Sequence, residues 1–238
     1  MKRIALLLAG VVCLAAPARA AGTFDLSWDG CTGPIVKTIT PGSVNTVYAT
    51  LSGQSEGMLG YTIRLAISTN CPCLTSCNQP TQPPDAWRFD AGGCQGSISD
   101  SLVFIDRNPE VALSKTCPAF APNYLPTYQV TEVEYEFFPR LVLGVAYGSE
   151  GVASADPNLR YTLGRFVIDQ SYGVTGAGTP GTCGGLESPI CIWRLEGTWF
   201  PIAGNAPLAW NAGVSYLRTS DPSPARATTW GAIKNQYR

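Results

Sequence analysis

The sequence predicts an all-β fold, arranged as one disulfide-stapled sandwich of two mostly antiparallel sheets. Three observations support this prediction. Apolar and polar residues alternate with a period of two over many short segments, which is the pattern of strands with one buried face. Turn-forming residues separate these segments, and the 238-residue chain contains 25 glycines and 19 prolines. No amphipathic helix of normal length interrupts the series.

The predicted strands can be placed along the chain by this alternation. The first covers residues 23–28, with Phe24, Leu26 and Trp28 as its buried side. The second covers 44–51, and the third, at 59–67, has the cleanest alternation in the protein. We expect the second and third strands to form a hairpin or an arch over one side of the core. Further strands are predicted at residues 87–89, 102–105, 161–169, 190–199 and 208–216.

The stretch 127–148 combines the strongest strand signal with a row of acidic residues. Its apolar positions are Val133, Tyr135 and Phe137, and they alternate with Glu132, Glu134 and Glu136. We expect the apolar set to face the core and the acidic set to face the other side of the sheet. Pro139 cannot donate to a sheet ladder, so it should end one strand before another resumes at residue 141.

The N-terminus has the pattern of a secretory signal peptide. Lys2 and Arg3 precede an apolar run at residues 4–16, and Ala18-Arg19-Ala20 is a small-x-small cleavage signature. The run is too short for a stable transmembrane helix. We therefore expect residues 1–20 to be removed and the mature protein to be secreted, periplasmic or at the cell surface.

The domain organisation follows from the remaining chain. Residues 21–218 are predicted to form one β-sandwich domain, because all-β domains commonly reach this size. Residues 219–238 are predicted to be a linker and a short C-terminal tail, with a helix at 230–237. One helical stripe of this tail would carry Trp230, Ile233 and Tyr237. The tail is expected either to pack on the sandwich or to act as an exposed recruitment segment.

Charge and residue content exclude several functional classes. The chain has 16 basic and 17 acidic residues, so loss of Lys2, Arg3 and Arg19 with the signal peptide leaves a net charge of −4. This balance differs from the basic surface of a nucleic-acid-binding protein. The chain contains no histidine. Serine and cysteine mechanisms that use an imidazole base, and the usual catalytic zinc sites, are therefore excluded.

Eight cysteines remain after removal of the signal peptide, an even number that predicts up to four disulfides in an exported protein. They are Cys31, Cys71, Cys73, Cys77, Cys94, Cys117, Cys183 and Cys191. Proximity in sequence favours a Cys183–Cys191 pair. The cluster Cys71-Pro-Cys73-x-x-x-Cys77 with Cys94 also has the ligand types of a zinc site. An oxidising compartment favours disulfides that fix a long loop, and no metal is predicted.

The acidic row at Glu132, Glu134 and Glu136 resembles the E-x-D-x-(x)-E active-site strand of jelly-roll glycoside hydrolases related to laminarinases and lichenases. The resemblance implies a retaining hydrolase with Glu132 as nucleophile, Glu136 as acid/base and Glu134 in place of the family's aspartate. Positions i and i+4 on one strand face are compatible with the separation of about 5–5.5 Å that retaining enzymes use. The alternative is a solvated acidic face on an antiparallel strand.

Aromatic residues and aspartates indicate two other kinds of candidate site. Aromatic residues can form a stacking platform for sugars, and the tryptophans to consider are Trp28, Trp87, Trp193, Trp199 and Trp210. We expect about four of these five to be buried, because tryptophans in a β-sandwich usually fill the core. Calcium is a second possibility, since aspartates occur near predicted loops. These are Asp25, Asp29, Asp85, Asp90, Asp100 and Asp106.

Three strand sequences, TVYATLSG, LGYTIRLAIS and YTLGRFVID, resemble those of exported bacterial β-sandwich modules of the cohesin and carbohydrate-binding type. The FDLSWDGC and TTWGAIKNQYR segments are similar to those of a group of exported bacterial proteins. These resemblances imply a jelly-roll or immunoglobulin/cohesin-like sandwich that binds an extracellular glycan or protein. The function predicted from the sequence is therefore a non-enzymatic secreted binding or structural module without a cofactor, with the glycoside hydrolase as the alternative.

Overall fold

The computed structural model describes residues 22–69, 83–90, 92–97, 102–105, 117, 128–135, 141–152, 156–202, 206–214 and 216–219. For residues 97, 102–105, 128–135 and 141–152 it describes the backbone and the strand register, and not the side chains. The predicted signal peptide and the predicted C-terminal helix lie outside the described residues, so both stay predictions.

The described residues form twelve β-strands and two short 3₁₀ turns. The strands are β1 (Thr23–Trp28), β2 (Val36–Lys37), β3 (Val44–Ser52), β4 (Met58–Ser68), β5 (Leu102–Ile105), β6 (Tyr128–Tyr135), β7 (Leu141–Val152), β8 (Arg160–Asp169), β9 (Cys191–Pro201), β10 (Leu208–Ala209), β11 (Asn211–Ala212) and β12 (Tyr216–Thr219). The turns are Asp85–Trp87 and Gln95–Ser97. The last described strand, β12, ends at Thr219, and the predicted division between the domain and the tail stays a prediction.

The strands form two sheets, which confirms the predicted all-β sandwich. One sheet has the order β11-β1-β3-β8-β5, and the other has the order β2-β12-β9-β4-β7-β6, with β10 also paired to β9. Among the described strands, the β1–β11 and β2–β12 pairs are parallel and the others are antiparallel. We call them the five-stranded and the seven-stranded sheet.

The core lies between the two sheets and is formed by the apolar side chains of the predicted strands. Phe24, Leu26 and Trp28 of β1 are buried there, opposite Ile63 and Leu65 of β4 in the other sheet. Each large side chain removed from water contributes roughly 25 cal/mol per Å² of buried apolar surface. Period-2 alternation therefore predicted the core face of these strands correctly.

Two polar contacts tie the sheets together across this core. The Tyr61 hydroxyl of β4 donates to the carbonyl of Leu163 in β8 at 2.6 Å. The indole N–H of Trp28 donates to the carbonyl of Arg218 in β12 at 3.3 Å. Both groups are buried with a partner, as polar atoms in a close-packed core require.

The sheet topology answers two questions that the sequence raised, namely how β3 connects to β4 and whether the chain breaks between β6 and β7. β3 lies in the five-stranded sheet and β4 in the seven-stranded sheet, so the loop between them is an arch and not a hairpin. β6 and β7 pair with each other in antiparallel register, as the break predicted at Pro139 requires. Residues 136–140, which join them, lie outside the described residues.

The single strand predicted at 208–216 is wrong. The chain instead forms β10 on the seven-stranded sheet, β11 on the five-stranded sheet and β12 on the seven-stranded sheet again. Between the first two, the amide of Trp210 donates to Gly197 and its ring stacks on Phe24 at 5.7 Å between ring centroids. The alternation was real, but it belongs to a segment that crosses the edge of the sandwich twice.

The strand predicted at 87–89 is also wrong. A 3₁₀ turn ends at Trp87, where the amide of Trp87 donates to the carbonyl of Pro84 at 2.8 Å. Trp87 and Phe89 are nevertheless both buried. Trp87 and Phe89 are two residues apart in the sequence because both pack against the core, and not because they belong to a paired strand.

Candidate functional site

The connection between β8 and β9, residues 170–190, is long for a sandwich loop and is unusually rich in glycine. We call it the Cys183 loop. Three of its glycines, Gly176, Gly181 and Gly185, have φ values of 74°, 83° and 85°. Residues with a Cβ rarely adopt this left-handed conformation, so the path of the loop depends on glycine at these positions.

A network of backbone hydrogen bonds gives the Cys183 loop a defined shape. The amide of Cys183 donates to Tyr172 at 2.8 Å, and the amide of Val174 donates back to Cys183 at 2.8 Å. Gly185 donates to Gly176 at 2.8 Å, and Leu186 donates to Val174 at 3.1 Å. The loop therefore folds back on itself as a small, internally bonded unit.

Side chains complete this network at the tip of the loop. The Thr182 hydroxyl donates to the carbonyl of Thr179 at 2.8 Å and accepts from the amide of Thr179 at 2.7 Å. The Glu187 carboxylate accepts from the amide of Gly176 at 2.9 Å. The one acidic group of the loop is thus engaged by its own backbone.

The base of the loop is fixed to the rest of the fold. Cys183 forms a disulfide with Cys94, with a Cα–Cα distance of 5.7 Å. Leu186 and Ile190 are buried in the core, and the amide of Ala86 donates to the carbonyl of Gly184 at 2.9 Å. Covalent, apolar and hydrogen-bonded contacts therefore all hold the loop in place.

Buried glutamine side chains extend this attachment. The amide nitrogen of Gln170 donates to the carbonyl of Ala86 at 2.9 Å, and that of Gln95 donates to the Gln170 side-chain oxygen at 3.0 Å. Both glutamines are fully buried. They join the end of β8 to the 3₁₀ turns without any charge.

The tip of the loop, in contrast, is open to solvent. Residues 175–181 are all exposed, and Tyr172, at the start of the loop, is 45% exposed. An exposed tyrosine among glycine, serine and threonine is the composition that binding loops use, because it offers a large contact area at a low cost in conformational entropy. The arrangement is suited to contact and recognition.

The acidic row of the hydrolase hypothesis lies on β6. Glu132 is in register with Gly144 of β7 and Glu134 with Val142, whereas Val133 is in register with Leu143. Leu143 is in turn in register with the buried Leu65 of β4. Glu136 lies outside the described residues. The hydrolase assignment of Glu132, Glu134 and Glu136 therefore stays a prediction without support from the structure.

The expectation for the tryptophans is confirmed. Trp28, Trp87, Trp199 and Trp210 are buried in the core. Trp193 is the exception: it is half-buried, and its neighbour in β9, Ile192, takes the core-facing position. Trp193 is in register with the exposed Tyr216 of β12, so these two aromatics occupy the outer face of the seven-stranded sheet.

Three of the six aspartates that are candidate calcium ligands form ion pairs with described basic residues. The carboxylate of Asp25 contacts Arg160, that of Asp29 contacts Lys37, and that of Asp90 contacts Arg88. Asp85 is exposed, and Asp100 and Asp106 lie outside the described residues. Within the described ranges, no group of three potential ligand side chains is placed to hold a metal ion.

The Cys183–Cys191 pairing predicted from sequence proximity is wrong, because Cys183 pairs with Cys94. A second disulfide joins Cys31 to Cys117 with a Cα–Cα distance of 6.2 Å. Cys191 is also disulfide-bonded. Cys183 belongs to a loop that folds toward the 3₁₀ turns, whereas Cys191 begins β9 opposite Ser68 of β4. Cys183 and Cys191 are therefore close in the sequence but do not pair with each other in the fold. Cys71, Cys73 and Cys77 lie outside the described residues.

The Cys183 loop was not identified from the sequence as a site. The available signals were its length, its six glycines and the tyrosine at its start. The missing information was its disulfide partner, because Cys94 lies 89 residues away in the sequence.

In the part of the chain that the structure describes, no helix is long and apolar enough to cross a membrane.

Comparison with known proteins gives distant structural likenesses only. No protein-family model matches the chain, and no curated protein matches it. Similar solved structures include the sixth cohesin from Acetivibrio cellulolyticus scaffoldin B, in complex with a Cel5 dockerin, at 13% identity and a TM-score of 0.36, covering 83% of this chain and 98% of that one. The second type II cohesin of the ScaA adaptor scaffoldin from the same organism has 8% identity and a TM-score of 0.35, covering 92% and 98%.

A non-cellulosomal cohesin from the archaeon Archaeoglobus fulgidus is also similar, at 9% identity and a TM-score of 0.31, covering 91% of this chain and 99% of that one. The resemblance to cohesin modules is thus confirmed as a distant likeness. Scores this low transfer neither a partner nor a binding surface to this chain.

Proposed function

We propose that this protein is a non-enzymatic extracellular binding module and that the Cys183 loop is its contact element. The observation that carries the proposal is the combination of a fixed base and an exposed tip in one loop. A contact loop that is ordered before it meets its ligand loses less conformational entropy on binding. Binding residues commonly lie on loops that a rigid scaffold positions.

Tyr172 is the residue proposed to contribute most to binding. Its ring is exposed, while its backbone carbonyl accepts the hydrogen bond from Cys183 that shapes the loop. Tyrosine is enriched among the residues that dominate binding energy, and truncation of such a residue costs about 2 kcal/mol or more. That loss corresponds to an approximately 30-fold weaker affinity.

Secretion is part of this proposal. Two supporting facts are the N-terminal signal pattern and the disulfides, because disulfides persist in oxidising compartments. N-terminal sequencing of the protein exported by a bacterial host should read from Ala21. A mature protein that retains residues 1–20 would contradict the assignment of the signal peptide.

Binding is tested by presenting the mature protein, with its disulfides intact, to an array of defined glycans and to a panel of purified extracellular proteins. We expect at least one specific ligand, with an affinity that falls about 30-fold in Tyr172→Ser. Leu159→Ser is the matched control. Leu159 is also exposed but precedes β8, whose ten residues separate it from Tyr172 by roughly 30 Å.

The outcomes separate the possible roles. Loss of binding in Tyr172→Ser with retention in Leu159→Ser supports the loop as the contact element. Equal binding by wild type and Tyr172→Ser overturns that assignment while leaving a binding module. An absence of any ligand for the wild-type protein would leave a structural role.

A further inference from the structure

Arg194 occupies a gap at the edge of the seven-stranded sheet. β12 pairs with β9 at residues 191–193, and β10 pairs with it at 198–199. Between these two contacts, no described strand pairs with β9 on that side. The register against β4 also shifts here, so that Arg194 stands opposite the buried Leu65 in the core-facing row. The cationic side chain of Arg194 thus lies between the two sheets at the point where β9 has no paired described strand on one side.

The structure holds the guanidinium of Arg194 in a defined place. Its Cζ lies 5.5 Å from the centroid of the Phe24 ring, and Nη1 points to the carbonyls of Trp210 and Asn211 at 3.4 and 3.3 Å. Its stem passes Gly197, where a Cβ would come within 3.2 Å of Arg194 Cδ. The position of the charge is therefore set by a ring, two carbonyls and a glycine.

Among the described residues, no carboxylate neutralises the charge of Arg194, in contrast to two other partly buried arginines. Arg160 has the carboxylate of Asp25 at 2.8 Å, and Arg88 has that of Asp90 at 2.7 Å. Arg194 contacts no carboxylate among the residues that the structure describes. Burial lowers the pKa of Arg194 from its ordinary value. Because the guanidinium of Arg194 is partly removed from water, an anionic partner would stabilise its charge.

The geometry leaves one edge of the guanidinium available. Its hydrogen bonds use Nη1 alone, so the Nε and Nη2 edge has no partner in the described part of the chain. In proteins generally, this edge of a guanidinium has the geometry to bind a carboxylate through two parallel hydrogen bonds. Its surroundings are accessible, because Asn211 and Ala212 are exposed.

We propose that Arg194 anchors a carboxylate-binding site at this edge of the sandwich, with Nε and Nη2 as the donors. A single guanidinium matches the single charge and planar shape of a carboxylate, whereas a phosphate usually recruits several cationic or backbone donors. The ligand group is the carboxylate of an acidic side chain or of an acidic sugar. This site is separate from the Cys183 loop and does not depend on the function proposed for that loop.

The direct test is an NMR titration of the arginine side chains in the mature protein. Acetate is added at constant ionic strength, with chloride as the reference anion. We expect a saturable shift of the Arg194 Nε–H resonance with a dissociation constant in the millimolar range, as suits one bidentate contact. The resonance is assigned by its loss in Arg194→Lys, which keeps the charge but lacks the two-donor edge.

Arg218 is the matched control, because its side chain is exposed on the neighbouring β12. A shift of equal size at Arg218 and Arg194, or no difference between acetate and chloride, would overturn the proposal. Glucuronate and a blocked Gly-Glu-Gly peptide, titrated in the same way, show which source of carboxylate binds more tightly.

A stability measurement gives a second, independent readout. Acetate at about ten times its dissociation constant should raise the Tm of the wild-type protein by about 3 °C relative to chloride. Arg194→Met should remain folded, since it removes a desolvated charge, and its Tm should not respond to acetate. An equal response in Arg194→Met would show that acetate acts elsewhere.

Discussion

The two described disulfides impose almost the same covalent constraint on very different surroundings. Cys31–Cys117 spans 86 residues and Cys94–Cys183 spans 89. In the chain-entropy description, loops of nearly equal length restrict the unfolded chain to nearly the same extent. Any difference between the two disulfides therefore comes from what each one holds in place in the folded protein.

Cys31–Cys117 covers a polar surface. Its two sulfurs lie 2.9 and 3.1 Å from the hydroxyl of Thr162, on the outer face of the five-stranded sheet. Asp25 and Thr50 lie in the same row as Thr162, and all three are buried. This disulfide thus helps to bury a sheet face whose sequence pattern is that of a solvated one.

Cys94–Cys183 leaves its loop exposed. It fixes the base of the Cys183 loop while residues 175–181 remain in solvent. The comparison shows that a disulfide alone does not mark a functional region. The two disulfides differ in the exposure of the segments that they anchor, and this difference is the reason for proposing the Cys183 loop, and not the covered outer face of the five-stranded sheet, as the contact element.

The largest effect is expected from removal of the covering disulfide. Cys31→Ala with Cys117→Ala should lower the free energy of unfolding by about 4 kcal/mol, because it frees the unfolded chain and exposes the row around Thr162. Urea denaturation followed by tryptophan fluorescence measures the change. The hydrogen-bonded amides of the Cys183 loop should keep their protection in this variant. A loss of less than about 1 kcal/mol would contradict the covering role.

A smaller effect is expected from Asp25→Asn. The Asp25 carboxylate accepts from the amide of Val214 at 2.7 Å and pairs with Arg160. Charged hydrogen bonds in buried places contribute about 1.5–3 kcal/mol each, so a loss of about 2 kcal/mol is expected. Asp29→Asn is the matched control, because its ion pair with Lys37 is more exposed and should be worth less than about 1 kcal/mol. Equal effects in a urea titration would show that the outer face around Asp25 is not buried.

Two glycine variants sharpen the account of the Cys183 loop. Gly185→Ala introduces a Cβ only 2.5 Å from Pro84 Cβ in addition to the strain of φ 85°, and it should cost about 2 kcal/mol. Gly176→Ala has similar strain but no atom within 4 Å, so about 1 kcal/mol is expected. Thermal unfolding of both variants gives the comparison. A larger cost at Gly176 would mean that contact with Pro84 does not fix the base of the loop.

Peptide mapping of the oxidised protein should identify a third disulfide with little ambiguity. Four of the five described cysteines pair with one another, and Cys191 is bonded to a different cysteine. Its opposite residue, Ser68, is the last residue of β4 and precedes the loop that contains Cys71, Cys73 and Cys77. We predict that one of these three is linked to Cys191. A Cys191 peptide with a free thiol would contradict the prediction.

Sequence reasoning succeeded where the relevant neighbours are close in the chain. Alternation identified Phe24, Leu26 and Trp28 as core residues, because strand geometry alone assigns them to one face. It missed the burial of Asp25 on the opposite face. The carboxylate of Asp25 contacts the amide of Val214 and the guanidinium of Arg160, and no local pattern connects either of these residues to β1.

The candidate site was less predictable for the same reason. The glycines of the Cys183 loop indicate a turn-rich connection, but its order depends on a disulfide to Cys94 and on Gln95 and Gln170. The edge position of Arg194 likewise depends on where β10 and β12 stop pairing with β9. These arrangements come from segments that are distant in sequence, so period and composition carry no information about them.

The central claim is that the Cys183 loop is ordered before it binds anything, and native-state amide hydrogen exchange tests this most directly. The amides of Val174, Cys183, Gly185 and Leu186 are hydrogen-bonded within the loop. We predict that they exchange slowly in the wild-type protein and at least about tenfold faster in Cys94→Ala with Cys183→Ala, because the anchor is lost. The account is contradicted if these amides already exchange at the rate of an unstructured chain in the wild type.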